Sequence, residues 1–214
     1  MDFEKTIGIF PDALSKSECQ LYIDWFEENK ELQQDGQTLS GVNNNVKNTK
    51  DISILPDNPL SNLLAEKSNE LVETYLKSFG HLEEYNPLDE LFTQGSHYPY
   101  WNVQRYRKNV GHYKSWHTEQ PEQKNTSNRM FVVMYYLNNV DKGGHTLFLL
   151  NDMKVKPTRG TFLVWPAGWP YVHSAETPLS NDKYIITTWL NANFNPYRAG
   201  RVVVKKRETR EEMS

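Results

Sequence analysis

Apolar positions in the first third of the chain recur at helical spacing. In SKSECQLYIDWFEENKEL, residues 15–32, Leu21, Tyr22, Trp25 and Phe26 fall together and leave Glu27, Glu28 and Lys30 on the other face, the periodicity of an amphipathic helix. Ser15 followed by Glu18 is a capping-box pair that starts it. The next stretch, QQDGQTLSGVNNNVKNTK, is rich in Asn, Gln, Gly and Ser and reads as a loop. A second helix is expected after Pro59 in LSNLLAEKSNELVETYLKSFG, with Leu63, Leu64, Leu71, Val72 and Leu76 as its apolar set and Gly80 as its stop.

From about Tyr98 the pattern shortens. The runs WNVQRY, MFVVMYYL, HTLFLL, GTFLVW, YVHSA, KYIITTWL and RVVV are separated by Gly, Pro, Asn and Asp clusters. Strands at such spacing predict an antiparallel sandwich or barrel. No repeat, low-complexity tract or Pro/Gly-rich linker divides the chain. The expectation is therefore one domain over residues 1–214: a helical part at about 10–95, a β-core at about 98–193, and a strand or tail at 194–214. The fold class is α+β, mainly β.

Composition narrows the classes of function. The 214 residues suffice for one sizeable core. With 37% hydrophobic, 24% charged and 13% aromatic residues the chain has a globular balance. No apolar run approaches the roughly 18 residues that span a bilayer. MDFEKTIGIF has neither the basic start nor the long apolar run of a signal peptide. A lone Cys19 excludes an internal disulfide and a cysteine-based zinc site, so a cytoplasmic setting is expected. The net charge of −3 gives no general attraction to nucleic acid or anionic membrane. The basic stretch Arg201–Arg210 is interleaved with Glu208 and reads as a solvated tail or edge strand. Oligomeric state is not legible.

The candidate chemistry begins at WHTE, residues 116–119. On a strand, positions i and i+2 share a face, so His117 and Glu119 can point together. The pair alone is equally what surface neighbours look like. A third ligand is available in His173 of YVHSA. Two His and one carboxylate suit Fe(II) and leave three coordination positions open; the same set also suits zinc. Lys183 stands ten positions after His173, at the head of KYIITTWL. A cation there can pair with the far carboxylate of a dicarboxylic acid, or be an ordinary solvated strand end.

With these residues in this order, the chain resembles the 2-oxoglutarate- and Fe(II)-dependent oxygenases of the prolyl 4-hydroxylase type, particularly the small bacterial and phage forms. The resemblance runs from about Ile9 to Asn193, through IGIFPDALSKSECQLYIDWFE, QRYRKNVGHYKSWHTE, MYYLNN, GGHTLF, FLVWPAGW and HSAETPLSNDKYIITTWL. It implies a double-stranded β-helix, or jelly-roll, with the N-terminal helices packed on it. It also implies Fe(II) on His117, Glu119 and His173, and 2-oxoglutarate with its far carboxylate on Lys183. Tyr106, Tyr136, Thr146, Thr187 and Trp189 match positions around the cosubstrate. O2 is the other cosubstrate, and ascorbate is a possible reductant. The implied reaction hydroxylates an unactivated C–H bond of a prolyl residue in a peptide or protein, or of a free amino acid, with succinate and CO2 as co-products.

Three departures from the family pattern stand out. Its usual carboxylate is Asp, whereas this chain has Glu119, which some related oxygenases share. Tyr113 to His117 is one residue longer than the common spacing and predicts a bulge before the ligand. His145 replaces the Glu of the usual GGET and is expected in an outer or surface role. Trp116 and His112 are candidates for the substrate entrance, and Trp101, Trp165 and Trp169 for packing. A substrate lid is expected in 31–58 or 81–100. Two other readings remain open from sequence: a catalytically inert jelly-roll that binds metal or peptide, and a zinc hydrolase, in which Lys183 has no task.

Overall fold

A computed structural model describes residues 3–80, 97–120 and 128–192. In chain order the elements are β1 (Gly8–Phe10), α1 (Lys16–Glu28), β2 (Gln34–Asp35), β3 (Gln37–Thr38), β4 (Gly41–Val42), β5 (Lys47–Asn48), β6 (Lys50–Ile54) and α2 (Pro59–Lys77). Then come β7 (Trp101–Tyr106), β8 (His112–His117), β9 (Arg129–Tyr136), β10 (Thr146–Phe148), β11 (Lys154–Val155), β12 (Phe162–Pro166), β13 (His173–Ala175) and β14 (Lys183–Asn191). The strands form a major sheet in the order β1-β12-β9-β14-β7-β6-β2 and a minor sheet in the order β11-β10-β13-β8-β5, with β3 and β4 as a separate hairpin. Every pairing is antiparallel. This is the expected jelly-roll with helices against one sheet.

The major sheet is covered on both faces, and strand alternation assigns each side chain to one of them. On β9, Val133 and Tyr135 pack against the helices, while Val132, Met134 and Tyr136 face the minor sheet. On β14, Ile186 and Leu190 face the helices and Ile185 the minor sheet. The helical layer brings Tyr22, Phe26, Leu64, Val72 and Tyr75 onto Trp101, Val103 and Phe162. The inter-sheet layer joins Leu163 and Trp165 to Phe148 and Val155. Burying each such large side chain contributes about 1.5–3 kcal/mol.

The helix faces differ in detail from the periodicity reading. The Ser15–Glu18 capping box forms, but the buried stripe of α1 is Cys19, Tyr22 and Phe26, and Leu21 points to solvent. On α2 two serines belong to the buried face because the sheet offers them partners. Trp101 Nε1 donates to Ser61 Oγ at 3.1 Å, and Ser68 Oγ lies 2.8 Å from the Tyr135 hydroxyl. Hydrogen-bonded hydroxyls can be buried without the full desolvation cost. Arg105 and Tyr184, on neighbouring strands, both bind Glu27 of α1.

The segment read as a loop is only partly one. β5 extends the minor sheet beside β8, and β6 pairs along its whole length with β7. Within KDISI, Ile52 and Ile54 turn to the helices while Asp51 and Ser53 turn to the interior of the roll. Its Asn-rich flank hides that alternation from a composition-based reading. HTLFLL pairs only as far as Phe148, after which the chain turns, with Asn151 and Asp152 at φ 60° and 50°. RVVV and residues 81–96 lie outside the described residues. No helix among the described residues is long and apolar enough to cross a membrane.

The expected bulge is present. His173 pairs with His117 and Ala175 with Tyr113, so residues 114–116 of β8 stand against Ser174 alone. The turn before β8 leaves no room for a side chain at Gly111, where a Cβ would lie 2.4 Å from the Arg107 nitrogen and 2.6 Å from the Tyr106 Cα. Gly111→Ala is therefore expected to lower stability by about 1–3 kcal/mol, measured by urea unfolding.

Candidate metal centre and its cavity

Three elements converge on one point. β8 ends at His117, Glu119 follows two residues on with its amide donating to the Ala167 carbonyl at 2.9 Å, and β13 begins at His173 directly opposite His117. The Nε2 atoms of His117 and His173 lie 3.4 and 3.5 Å from Glu119 Oε1. One ligand atom from each of the three residues lies within 4.8 Å of the others.

Each imidazole is oriented from behind. His117 Nδ1 lies 2.8 Å from the Ser115 carbonyl and His173 Nδ1 lies 3.0 Å from the Tyr171 carbonyl. A carbonyl only accepts, so each Nδ1 carries a hydrogen and each Nε2 is the ring nitrogen turned to the shared point, the orientation metal-binding histidines use. His117 stacks on Tyr113 with ring centres 4.0 Å apart, and His173 meets the edge of Trp165 at 5.2 Å. Burial alone would raise the Glu119 carboxyl, but its contacts with His117 and His173 outweigh that and hold it well below the usual carboxylate range. The donor set, its tautomers and its charge fit a divalent metal with nitrogen and oxygen preference.

The outer oxygen of Glu119 is also engaged. Oε2 accepts from Arg129 Nη1 at 3.1 Å and from Trp189 Nε1 at 3.0 Å. Arg129 also donates to the Glu119 main-chain carbonyl at 3.1 Å and lies 3.5 Å from the centre of the Trp189 ring.

The triad opens into a cavity of about 690 Å³ between the two sheets. Tyr106, Thr146, Lys183, Ile185 and Thr187 line it as well. Lys183 is fully buried, and its Nζ donates to the Gly144 carbonyl at 2.7 Å and faces the rings of Tyr106 and Tyr136. Burial pulls its ammonium down to about 7 against the opposing charge of Glu176. Tyr136 stands behind this lining, its hydroxyl 2.6 Å from Thr146 Oγ1.

Trp189 lines the cavity too, six residues along β14 from Lys183, and its Nε1 donates to Glu119. Other candidates lie elsewhere. His112 is buried between the Val110 and Asn45 carbonyls, and Trp116 is half-exposed; neither lines the cavity. His145 pairs with Glu176 at 2.6 Å near the surface, away from the triad. Trp101 and Trp165 are packed in the two cores, and Trp169 is exposed.

The sequence reading missed a polar wall. Asp51 Oδ2 accepts from Lys47 at 2.8 Å, Asn102 at 3.1 Å and Gln104 at 3.2 Å, and Tyr106 donates to Gln104 Oε1 at 3.2 Å. Arg129 was missed too. Polar residues at alternate positions of β6 and β7 were the available signal, since such positions face an interior that apolar side chains do not fill.

Comparison with known proteins agrees with this geometry. Residues 101–191 match the family model described as the 2OG-Fe(II) oxygenase superfamily, a stretch that carries the triad and Lys183. No match to a curated protein sequence is found. Among solved structures, the chain is similar to the viral collagen prolyl hydroxylase of Paramecium bursaria Chlorella virus-1 in its 2OG complex (17% identity, 87% of this chain and 96% of that one, TM-score 0.64). It is similar to a Pseudomonas putida prolyl-4-hydroxylase (14%, 87% and 92%, 0.63). A Trichoplax adhaerens prolyl hydroxylase in complex with a hypoxia inducible factor peptide is also similar (19%, 88% and 84%, 0.65). At these identities the structures show a common fold. The matched stretch, residues 101–191, is similar to the 2OG-Fe(II) oxygenase superfamily, whose cofactors are Fe(II), 2-oxoglutarate and O2. The protein is a 2-oxoglutarate-dependent dioxygenase.

After anaerobic reconstitution, His173→Ala is expected to lose stoichiometric iron while Lys183→Ala retains it, measured by metal analysis. Equal loss in both would show that the two residues do not have separate tasks.

Proposed function

We propose that the protein hydroxylates an unactivated C–H bond of a prolyl residue in a peptide or of a free amino acid, releasing succinate and CO2. One observation carries this reading: a His–Glu–His triad and a fully buried lysine share a single cavity. The three relatives named above are prolyl hydroxylases, which supports a prolyl substrate. A zinc hydrolase has no use for Lys183, and an inert module has no use for histidines oriented with both Nε2 atoms toward one carboxylate.

In this scheme His117, Glu119 and His173 hold Fe(II), and Lys183 holds the far carboxylate of 2-oxoglutarate. When bound, iron with 2-oxoglutarate and O2 supplies the oxidant that removes hydrogen from carbon and returns a hydroxyl. The protein contributes position and exclusion of water. Ile185 and Thr187 lie beyond Lys183 on the same face of β14, and Thr146 sits opposite with Tyr136 behind it. The primary substrate enters past the polar wall of Lys47, Asp51, Asn102 and Gln104. The rim there carries Leu32, Leu39 and Leu55, all exposed, within the 31–58 stretch expected to form a lid.

The direct test is succinate formation with Fe(II), ascorbate and 2-oxoglutarate over a library of proline-containing peptides and free amino acids. Mass spectrometry identifies the product that gains one oxygen. Absence of both succinate and iron binding would end the enzymatic reading.

The buried lysine gives a pH dependence with a definite sign. With its ammonium brought down to about 7, Lys183 is neutral above that pH, and a dicarboxylate must draw a proton in as it binds. Affinity for 2-oxoglutarate is therefore expected to be flat below pH 7 and to fall by up to about tenfold per pH unit above it. Lys183→Arg, which stays charged, should flatten the fall. Calorimetry in two buffers of different ionisation enthalpy reads the proton uptake directly; an uptake of zero at pH 8 would contradict this account.

A further inference from the structure

The substitution of Glu for the usual Asp at position 119 adds a methylene to the one carboxylate of the triad. The structure shows where the extra length goes. Oε1 stays with the two histidines, while Oε2 is drawn across the gap between the sheets to donors on two adjacent strands, Arg129 at the start of β9 and Trp189 near the end of β14. Arg129 Nη1 grips both the side chain and the main-chain carbonyl of Glu119, and its guanidinium lies against the Trp189 ring. The side chains of Arg129 and Glu119 are 16% and 17% exposed, so water competes little for these bonds.

We infer that Arg129 and Trp189 are positioning residues that restrict Glu119 to a single metal-binding oxygen. The inference rests on the iron reading above. Its reason is a count of coordination sites. A 2-oxo acid chelates through two atoms and O2 needs a third position, so an octahedral metal can give the protein only three. Two histidines and a carboxylate bound through one oxygen use three; a carboxylate bound through both would use four. A glutamate is long and free enough to swing into the second mode. Two donors saturating Oε2, one of them charged, oppose that swing. Trp189 thereby has a task at the metal ligand as well as in the cavity wall.

The test uses the full chain loaded anaerobically with Co(II), which reports binding by its absorption and does not turn over. Trp189→Phe removes one donor and keeps a ring beneath Arg129; Arg129→Met removes the other. Both are compared with the unmodified protein for Co(II) affinity, for binding of 2-oxoglutarate and of succinate to the Co(II) form, and for metal-free melting temperature. Succinate has no 2-oxo group and does not need the chelating pair of positions. The expected result is 2-oxoglutarate binding weakened on the order of tenfold or more, with succinate binding and melting temperature nearly unchanged. Loss of Co(II) without loss of the fold also supports the assignment, since Glu119 is then no longer held at the metal. Unchanged binding of both ligands, equal weakening of both, or collapse of the fold in both variants overturns it. If the unmodified protein binds neither Co(II) nor 2-oxoglutarate, the iron reading itself fails, an outcome separate from failure of the clamp.

Discussion

Two histidines facing each other across an antiparallel strand pair, with one largely buried carboxylate between them, set the terms for the rest of the molecule. His117 and His173 are partners in the register of β8 and β13, and Glu119 reaches both from just beyond the strand end. Leaving this carboxylate buried is costly unless it is met by charge or hydrogen bonds. The histidines meet it on one side, and Arg129 with Trp189 on the other. The minor sheet thus supplies the histidines and the major sheet the clamp. Any shift of one sheet over the other would leave a charge without its partner.

That dependence explains why the major sheet is held so firmly from behind. α1 and α2 cover it with apolar side chains, and hydroxyls of Ser61 and Ser68 anchor α2 to Trp101 and Tyr135. Rigid elements hold a functional site more precisely than loops do. The strand β14 illustrates the economy of the design: its one inward face carries Lys183, Ile185, Thr187 and Trp189 in turn, from the buried cation to the clamp on the metal ligand. Its other face gives Ile186 and Leu190 to the helical core.

Much of this was legible in the residues. Strand runs such as WNVQRY and KYIITTWL declare themselves by alternation, and His117, Glu119, His173 and Lys183 stand at recognisable spacing. A bulge before His117 was expected from one extra residue, and the strand pair holds two, since residues 114–116 face Ser174 alone. What escaped had a physical reason. Asp51 sits in a strand that its Asn-rich flank disguises, and it faces inward because a cavity, not a packed core, lies there. Ser61 and Ser68 are buried because partners distant in sequence await them. Leu21 is exposed because the buried face of α1 is fixed by Tyr22 and Phe26. Trp189, matched by resemblance to the pocket wall beyond Lys183, lines the cavity, and its bond to Glu119 joins residues 70 apart in sequence that no local pattern connects.

The central claim is that the triad and Lys183 form one site spanned by one molecule. The most direct measurement is an anaerobic crystal structure with Mn(II) and N-oxalylglycine, an unreactive analogue of 2-oxoglutarate. The account predicts metal density between His117, Glu119 and His173, with the far carboxylate of the analogue on Lys183 Nζ. Metal held by other residues, or an analogue whose far carboxylate leaves Lys183 on the Gly144 carbonyl, would contradict it.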